Sequence, residues 1–284
     1  MKLLSPAKVN LFLNVLSKRK DGYHEIETLF QRISLADEIP LSPALSGVKL
    51  LTDSKKIPTG SKNLAYRAAQ LLRERFNVQK GVVIRLRKKI PVAAGLGGGS
   101  SNAATVLLGL NRFWKLGLSQ RTLCDLGAEL GSDVPFFILE TPFAFARGRG
   151  EILKKVSAPR VKIWHCLVNP GFKISTKKAY RSLDQSSLTP KKTDVKILLH
   201  SIQKGHSSAL TNLLTNSLEV TLNKRVTTIL EIKKELLRQG AKGSLLSGSG
   251  PTVFGIYSSK SKASKVALVL KKHRNWKVFV ASTF

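Results

Sequence analysis

The 284 residues carry 48 lysines and arginines against 17 aspartates and glutamates, a formal charge of +31, with 42% hydrophobic and 23% charged residues. This balance belongs to a globular chain and excludes a disordered one; no apolar run reaches the ~18–20 residues of a membrane-spanning helix. Cys124 and Cys166 are too few for a disulfide framework or a four-ligand zinc site, and the five histidines lack His-Glu-x-x-His spacing, so no His-ligated metal is expected.

A reducing, cytoplasmic setting is the simplest inference from the two cysteines. Met1 to Lys8 passes straight into a strand-like pattern, without the apolar core of a secretory leader. From Lys8 to Leu16 the alternation of Val9, Leu11, Leu13 and Val15 predicts a strand with one wholly apolar face. Residues 17–22 close on Asp21-Gly22, a hairpin-turn signature. A second strand is expected from Glu25 to Leu35, after which Pro40, Pro43 and Gly47 break the chain. A helix follows from Ser61 to Phe76, started by Gly60-Ser61, with Leu64, Ala68, Leu71 and Arg75 on one stripe. Val82, Ile84 and Leu86 then mark a strand leading into the most informative segment of the chain.

That segment is Pro91-Val92-Ala93-Ala94-Gly95-Leu96-Gly97-Gly98-Gly99-Ser100-Ser101, followed by an apolar helical pattern from Asn102 to Trp114. Glycines allow left-handed backbone and close approach. Successive amides can then point at one anion, and the following helix adds the positive end of its dipole. Ser100 and Ser101 stand where a phosphate oxygen or its Mg²⁺ would be met; a glycine turn without ligand is the alternative. A P-loop would need Lys where Ser100 stands, and a dinucleotide fingerprint would need Gly or Ala there with an acid about 20 residues on. Neither fits, so the loop points to a phosphate site of another kind.

A helix from Ser119 to Leu130 ends at Gly131. The second half reads as strand Val161–Val168, a mixed region, helix Arg225–Arg238, strand Lys242–Ser247, a Gly-Ser-Gly turn, strand Thr252–Tyr257, helix Ser261–His273 and strand Lys277–Ser282. These elements follow the β-α-β-β-α-β order of a ferredoxin-like domain. The expected class is α+β in two domains, 1–155 and 156–284, divided where Gly148, Gly150 and Pro159 interrupt the patterns. The basic residues are scattered in short groups such as Lys18-Arg19-Lys20 and Arg85-Leu86-Arg87-Lys88-Lys89, without interleaved aromatics. They read as a solvated surface that favours anionic small molecules, with a nucleic-acid partner not expected.

Three segments, Pro6-Ala7-Lys8-Val9-Asn10-Leu11, the loop 91–101 and Leu246-Ser247-Gly248-Ser249-Gly250-Pro251-Thr252, together resemble the GHMP kinase superfamily. Asp21-Gly22-Tyr23-His24-Glu25-Ile26 and Gly131-Ser132-Asp133-Val134-Pro135-Phe136-Phe137 bring the resemblance closer to the family of 4-diphosphocytidyl-2-C-methyl-D-erythritol kinases, over nearly the whole chain. Ala93-Ala94 stand where many members have glycine, and Pro251 where alanine is common. The resemblance implies a two-domain fold, ribosomal-protein-like in its first half and ferredoxin-like in its second. It implies ATP with Mg²⁺ as donor and a cytidyl diphosphate sugar alcohol as acceptor, phosphorylated on its 2-hydroxyl for isoprenoid synthesis.

Carried onto this sequence, loop 91–101 binds the ATP phosphates, with Asn63 and Lys88 near the nucleoside. Asp133 is the catalytic base; capping of the short helix that follows is the alternative. Lys8 keeps Asp133 ionised and offsets charge on the transferring group. Tyr23 stacks on cytosine, His24 reads its polar edge, Tyr180 is the opposing aromatic, and Thr176 and Asn10 contact the acceptor. Another small-alcohol kinase of the superfamily, or a basic RNA-binding protein, would be the competing identities.

Overall fold

The computed structural model describes residues 1–158, 162–183, 195–204, 214–221 and 226–284. Pro159, Val161 and Arg225, on which parts of the sequence reading fell, lie outside the described residues. Two compact units emerge, and each is assembled from separated stretches. The first holds Met1–Ala7, Ala36–Val92 and Gly97–Thr141; the second holds Lys8–Leu35, Ala93–Leu96 and Pro142–Phe284. This division differs from a single cut at 155, because two long strands, β1 (Lys2–Lys18) and β2 (His24–Ala44), contribute residues to both units.

In the first unit β3 (Val48–Thr52) runs parallel to β4 (Gly81–Leu86), and β4 pairs antiparallel with the end of β2, Leu41 facing Ile84. Pro40 and Pro43 therefore lie inside a strand rather than ending one; Pro43 sits opposite Val82. Proline's φ is extended, and it removes only its own ladder donor. The chain breaks instead at Gly47, whose carbonyl accepts from Val82 N at 3.0 Å. Helix α1 (Leu64–Arg75) begins later than Gly60-Ser61, at Asn63, whose Oδ1 accepts from Ala65 N at 2.9 Å. Its buried residues are Ala65, Ala68, Ala69 and Leu72, so the inward face is rotated by one position from the expected stripe. Small side chains let α1 lie close against α2 (Gly98–Phe113), which buries Ala103, Val106, Leu107 and Leu110 as its period predicts. Helix α3 (Gln120–Leu130) is capped by Ser119 and ends at Gly131, which is extended (φ 170°) rather than left-handed. Helix α4 (Val134–Ile138) is wholly buried.

The second unit contains a hairpin that the sequence pattern does not predict: β5 (Phe143–Arg147) and β6 (Ile152–Lys155) are antiparallel across Gly148 and Gly150, where a domain boundary is expected. β5 also pairs with β2, Leu29 facing Phe145. Both faces of β1 are buried from Ser5 to Val15, polar Asn10 and Asn14 included. After β7 (Trp164–Asn169) come α5 (Thr176–Arg181), α6 (Val195–Gln203) and the short β8 (Thr215–Asn216), which runs parallel to β1. Then follow α7 (Val226–Arg238), β9 (Ser244–Leu246), β10 (Val253–Tyr257), α8 (Lys260–Leu270) and β11 (Lys277–Ser282). The sheet order β11-β7-β10-β9 is that of a ferredoxin-like domain, with the last strand beside the first. Its core joins Cys166 and Val168 to Ile229, Ile232 and Leu236 on α7 and to Ala263, Val266 and Leu270 on α8. Cys124 and Cys166 form no disulfide with each other, and burial pushes the Cys166 thiol up to about 12, leaving it inert.

His165 is buried on β7, with Nε2 at 2.9 Å from Gln31 Oε1 and its ring edge-on to Phe254. Burial pulls its pKa from 6.5 down to about 3. The unfolded chain binds this proton below about pH 6.5 and the folded chain does not until about 3, so stability is retained above that window and lost as pH falls through it. Denaturant unfolding at about pH 7 and about pH 4.5 is expected to show a smaller acid loss in His165→Gln than in the unsubstituted chain. Equal losses would remove His165 from the account.

Candidate active site

In the second unit, main-chain carbonyls in the middle of the glycine loop accept hydrogen bonds from the other two motifs. Lys8 N donates to Leu96 O (3.0 Å), Thr252 N to Ala94 O (3.3 Å) and Ser247 Oγ to Gly95 O (2.9 Å). Gly95 has φ +76°, and a Cβ there would sit 2.0 Å from Ser247 O. Only glycine satisfies both demands. The segment Leu246–Thr252 is braced from behind by Asn216, whose Nδ2 donates to Leu246 O and Gly248 O at 2.9 and 2.8 Å. Its Gly250-Pro251 peptide is cis.

Lys8 is 5% exposed. Its ammonium donates to Asn10 Oδ1 (2.6 Å) and lies 5.0 Å from the Phe30 ring centre. Asn10 Nδ2 donates to Thr28 Oγ1 (2.8 Å), which donates to Phe12 O. A buried cation requires such partners to offset lost hydration. A Cβ on Gly248 would stand 3.4 Å from Lys8 Nζ and 3.2 Å from Asn10 Oδ1, so the third motif closes over this pair.

Tyr23, His24, Thr176 and Tyr180 belong to the same unit. The turn at 19–23 forms as expected, Arg19 N donating to Tyr23 O at 2.8 Å. His24 faces Tyr180, with ring centres 5.4 Å apart and planes at 31°. Tyr23 is 53% exposed, and the Arg149 guanidinium lies 5.0 Å from its ring centre. Thr176 bonds Ser249 of the third motif, hydroxyl to hydroxyl, at 2.9 Å. Burial, then the nearby Lys18 charge, hold the His24 pKa below 6.5, so its imidazole is neutral at pH 7 and can both donate and accept.

In the first unit the glycine loop turns into α2 earlier than the apolar pattern indicates. Gly97, left-handed at φ +66°, is the N-cap, so Gly98, Gly99, Ser100 and Ser101 form the first helical turn. That turn has neither a capping side chain nor an acid, leaving helix-end amides for an outside acceptor. The two serines diverge in their surroundings. Ser101 is fully buried and bonds Ser5 Oγ at 2.8 Å, whereas Ser100 is half-buried. Gly99 in this turn is exposed, as are Val92 and Ala93 ahead of it, whereas Pro91 is half-buried.

Asn63 is committed to capping α1 and donates to Pro58 O (2.8 Å). Lys88 is paired with Asp37 and donates to Asn102 Oδ1 at 3.2 Å. Asp133 stands at the N-cap position of α4 without a side-chain capping hydrogen bond. Sequence reading missed Asp37, Asn102, Thr28, Arg149 and Asn216. Asp37 did leave a signal: it shares the alternation of Ile33, Leu35, Ile39 and Leu41, a carboxylate on inward-facing positions.

Residues 63–141 match the family described as GHMP kinases N terminal domain, and residues 198–275 match GHMP kinases C terminal. The 4-diphosphocytidyl-2-C-methyl-D-erythritol kinase of Pelotomaculum thermopropionicum is 43% identical over 282 residues, 99% of this chain and 97% of its own. That of Syntrophotalea carbinolica is 45% identical over 278 residues, 97% and 96% of the two chains. A crystal structure of 4-(cytidine 5'-diphospho)-2C-methyl-D-erythritol kinase superposes with TM-score 0.85 at 37% identity, covering 99% of this chain and 98% of that one. With these full-length relatives, both matched halves and the ferredoxin-like strand order, the chain belongs to the GHMP kinases and, among them, to the 4-diphosphocytidyl-2-C-methyl-D-erythritol kinase family.

Proposed function

We propose that this chain transfers the γ-phosphoryl group of ATP to the 2-hydroxyl of 4-diphosphocytidyl-2-C-methyl-D-erythritol, in the cytoplasm, as a step of non-mevalonate isoprenoid synthesis. The observation that carries this reading is the start of α2 at Gly97–Gly98, where main-chain amides at a positive helix end have no capping side chain and the first turn contains no acidic residue.

Phosphoryl transfer requires position and charge stabilisation more than covalent chemistry from the protein. In this reading residues 91–101 receive the ATP phosphates. Ser100 supplies the hydroxyl, since Ser101 is committed to Ser5. Asn63 and Lys88 shape the nucleotide side of the site through the neighbours they hold. Among the described residues no group of three or more His, Cys, Asp or Glu side chains could hold a metal. Mg²⁺ would therefore rest on the phosphates, water and Ser100, and would neutralise phosphate charge.

Asp133 accepts the proton of the acceptor hydroxyl as its oxygen bonds to phosphorus and ADP leaves. The Lys8 ammonium, oriented by Asn10, offsets negative charge on the group in transfer. His24, neutral and set against Tyr180, addresses the polar edge of cytosine, while Tyr23 presents a ring face to the base and Thr176 contacts the acceptor. An acceptor without a nucleobase would leave this aromatic pair unused, which argues against mevalonate or homoserine as substrate.

Purified protein with ATP and each of the cytidyl acceptor, mevalonate and homoserine is expected to phosphorylate the first alone. Turnover of another alcohol would reassign it within the superfamily. No turnover, together with salt-sensitive RNA binding, would move the assignment to a nucleic-acid partner. Lys8→Ala and Asp133→Ala are each expected to lower kcat by about 10²-fold or more; wild-type turnover would strike that residue from the mechanism. His24→Ala is expected to raise KM for the cytidyl acceptor by about tenfold, the scale of one specific polar contact, with KM for ATP unchanged. An equal rise for both substrates would argue against base reading.

A further inference from the structure

Asp37 is fully buried, and its carboxylate accepts four hydrogen bonds within the first unit. Oδ1 accepts from Lys89 N (2.8 Å) and Ile90 N (2.9 Å). Oδ2 accepts from Asn102 Nδ2 (2.9 Å) and from the Lys88 ammonium. Ile90 immediately precedes the glycine loop and Asn102 immediately follows it. One carboxylate therefore ties together both ends of an eleven-residue segment, 91–101. The bonding continues outward: Asn102 Nδ2 donates to Ser5 Oγ (2.8 Å), and Ser5 bonds Ser101 in the first turn of α2.

Lys88 completes the arrangement. Its side chain is 8% exposed. A Cβ on Gly98, the first residue of α2, would lie 3.3 Å from its Nζ. A cation at a helix N-terminus is repelled by the dipole unless an anion holds it there. Asp37 supplies that anion from the buried side. Two of the three ammonium hydrogens are then directed at Asp37 and Asn102 among the described residues, beside amides that have no side-chain cap.

We infer that Asp37, by binding both ends of the glycine loop and anchoring Lys88 at the start of α2, is a positioning residue for the ATP phosphates. This rests on the reading of residues 91–101 as the ATP site. Flexible loops lose more freedom on binding than fixed ones, so a clamp at both ends favours nucleotide affinity without touching nucleotide. None of Asn10, Tyr23, His24, Thr176 and Tyr180 is among these four hydrogen-bond donors to Asp37.

Asp37→Asn preserves shape but offers one accepting oxygen where two are required, and Asp37→Glu keeps the charge but displaces it by a methylene. Both are to be measured by calorimetry with a non-hydrolysable ATP analogue and by KM for each substrate, with Lys88→Met and the double variant Asp37→Asn/Lys88→Met alongside. The expected result is analogue affinity about 10- to 100-fold weaker in both Asp37 variants, the scale of a misplaced binding group. KM for the cytidyl acceptor is expected to stay within about twofold, and the double variant to bind no more weakly than the weaker single one. Wild-type analogue affinity in either folded Asp37 variant overturns the inference, as do equal rises in both KM values or losses that multiply in the double variant. Should Asp37→Asn fail to fold around an unpaired ammonium, Asp37→Glu decides by the same criteria. If the unsubstituted chain itself binds no analogue, the ATP reading fails and this inference with it; binding that is indifferent to Asp37 fails the inference alone.

Discussion

The space beside Gly95 is the constraint on which the site depends. A Cβ at that position would be 2.0 Å from the carbonyl oxygen of Ser247, and the backbone there is left-handed at φ +76°. Because no side chain intervenes, Gly95 O can accept from Ser247 Oγ, Ala94 O from Thr252 N, and Leu96 O from Lys8 N. Segments separated by some 150 residues are thus held by hydrogen bonds to main-chain carbonyls. Such bonds have fixed direction and little entropy left to lose, which is the property a preorganised charge-stabilising site requires.

Both units surround buried polar groups with apolar packing and supply those groups with hydrogen-bond partners. In the second unit the chain Lys8–Asn10–Thr28–Phe12 O places an ammonium in a strand whose two faces are buried. In the first unit Asp37, Lys88, Asn102, Ser5 and Ser101 do the same for a carboxylate. A half-satisfied network would cost several kcal/mol per stranded group. Removing one member of such a chain therefore costs stability as well as the orientation of the others.

The charge of +31 plays a separate part. Exposed ion pairs such as Arg75 with Glu129 or Arg238 with Glu235 consume few of the basic residues, and exposed pairs of this kind add little stability. The excess remains as a field that raises encounter rates with anions, consistent with a donor and an acceptor that both carry phosphates.

Much of this was legible in order along the chain. The glycine segment, the Asp21-Gly22 turn, the period of α2 and the strand–helix alternation of the last 120 or so residues are local patterns, and local sterics and burial period are enough to read them. The family followed from motifs whose chemistry is carried by contiguous residues. What the sequence could not settle depends on partners distant in the chain. Pro40 and Pro43 look like breakers, yet they lie in β2 because the pairing with β4 tolerates a missing donor. The early start of α2, at Gly98, follows from Gly97 adopting a left-handed cap, a conformation that propensity alone does not select. Ser100 and Ser101 are chemically identical in sequence and differ only because Ser5 claims one of them. Two compact units assembled from interleaved stretches leave no mark in composition, since the same two strands serve both. Chemistry resided in the residue types, therefore, and its geometry in long-range hydrogen bonds that exist only once the chain has folded.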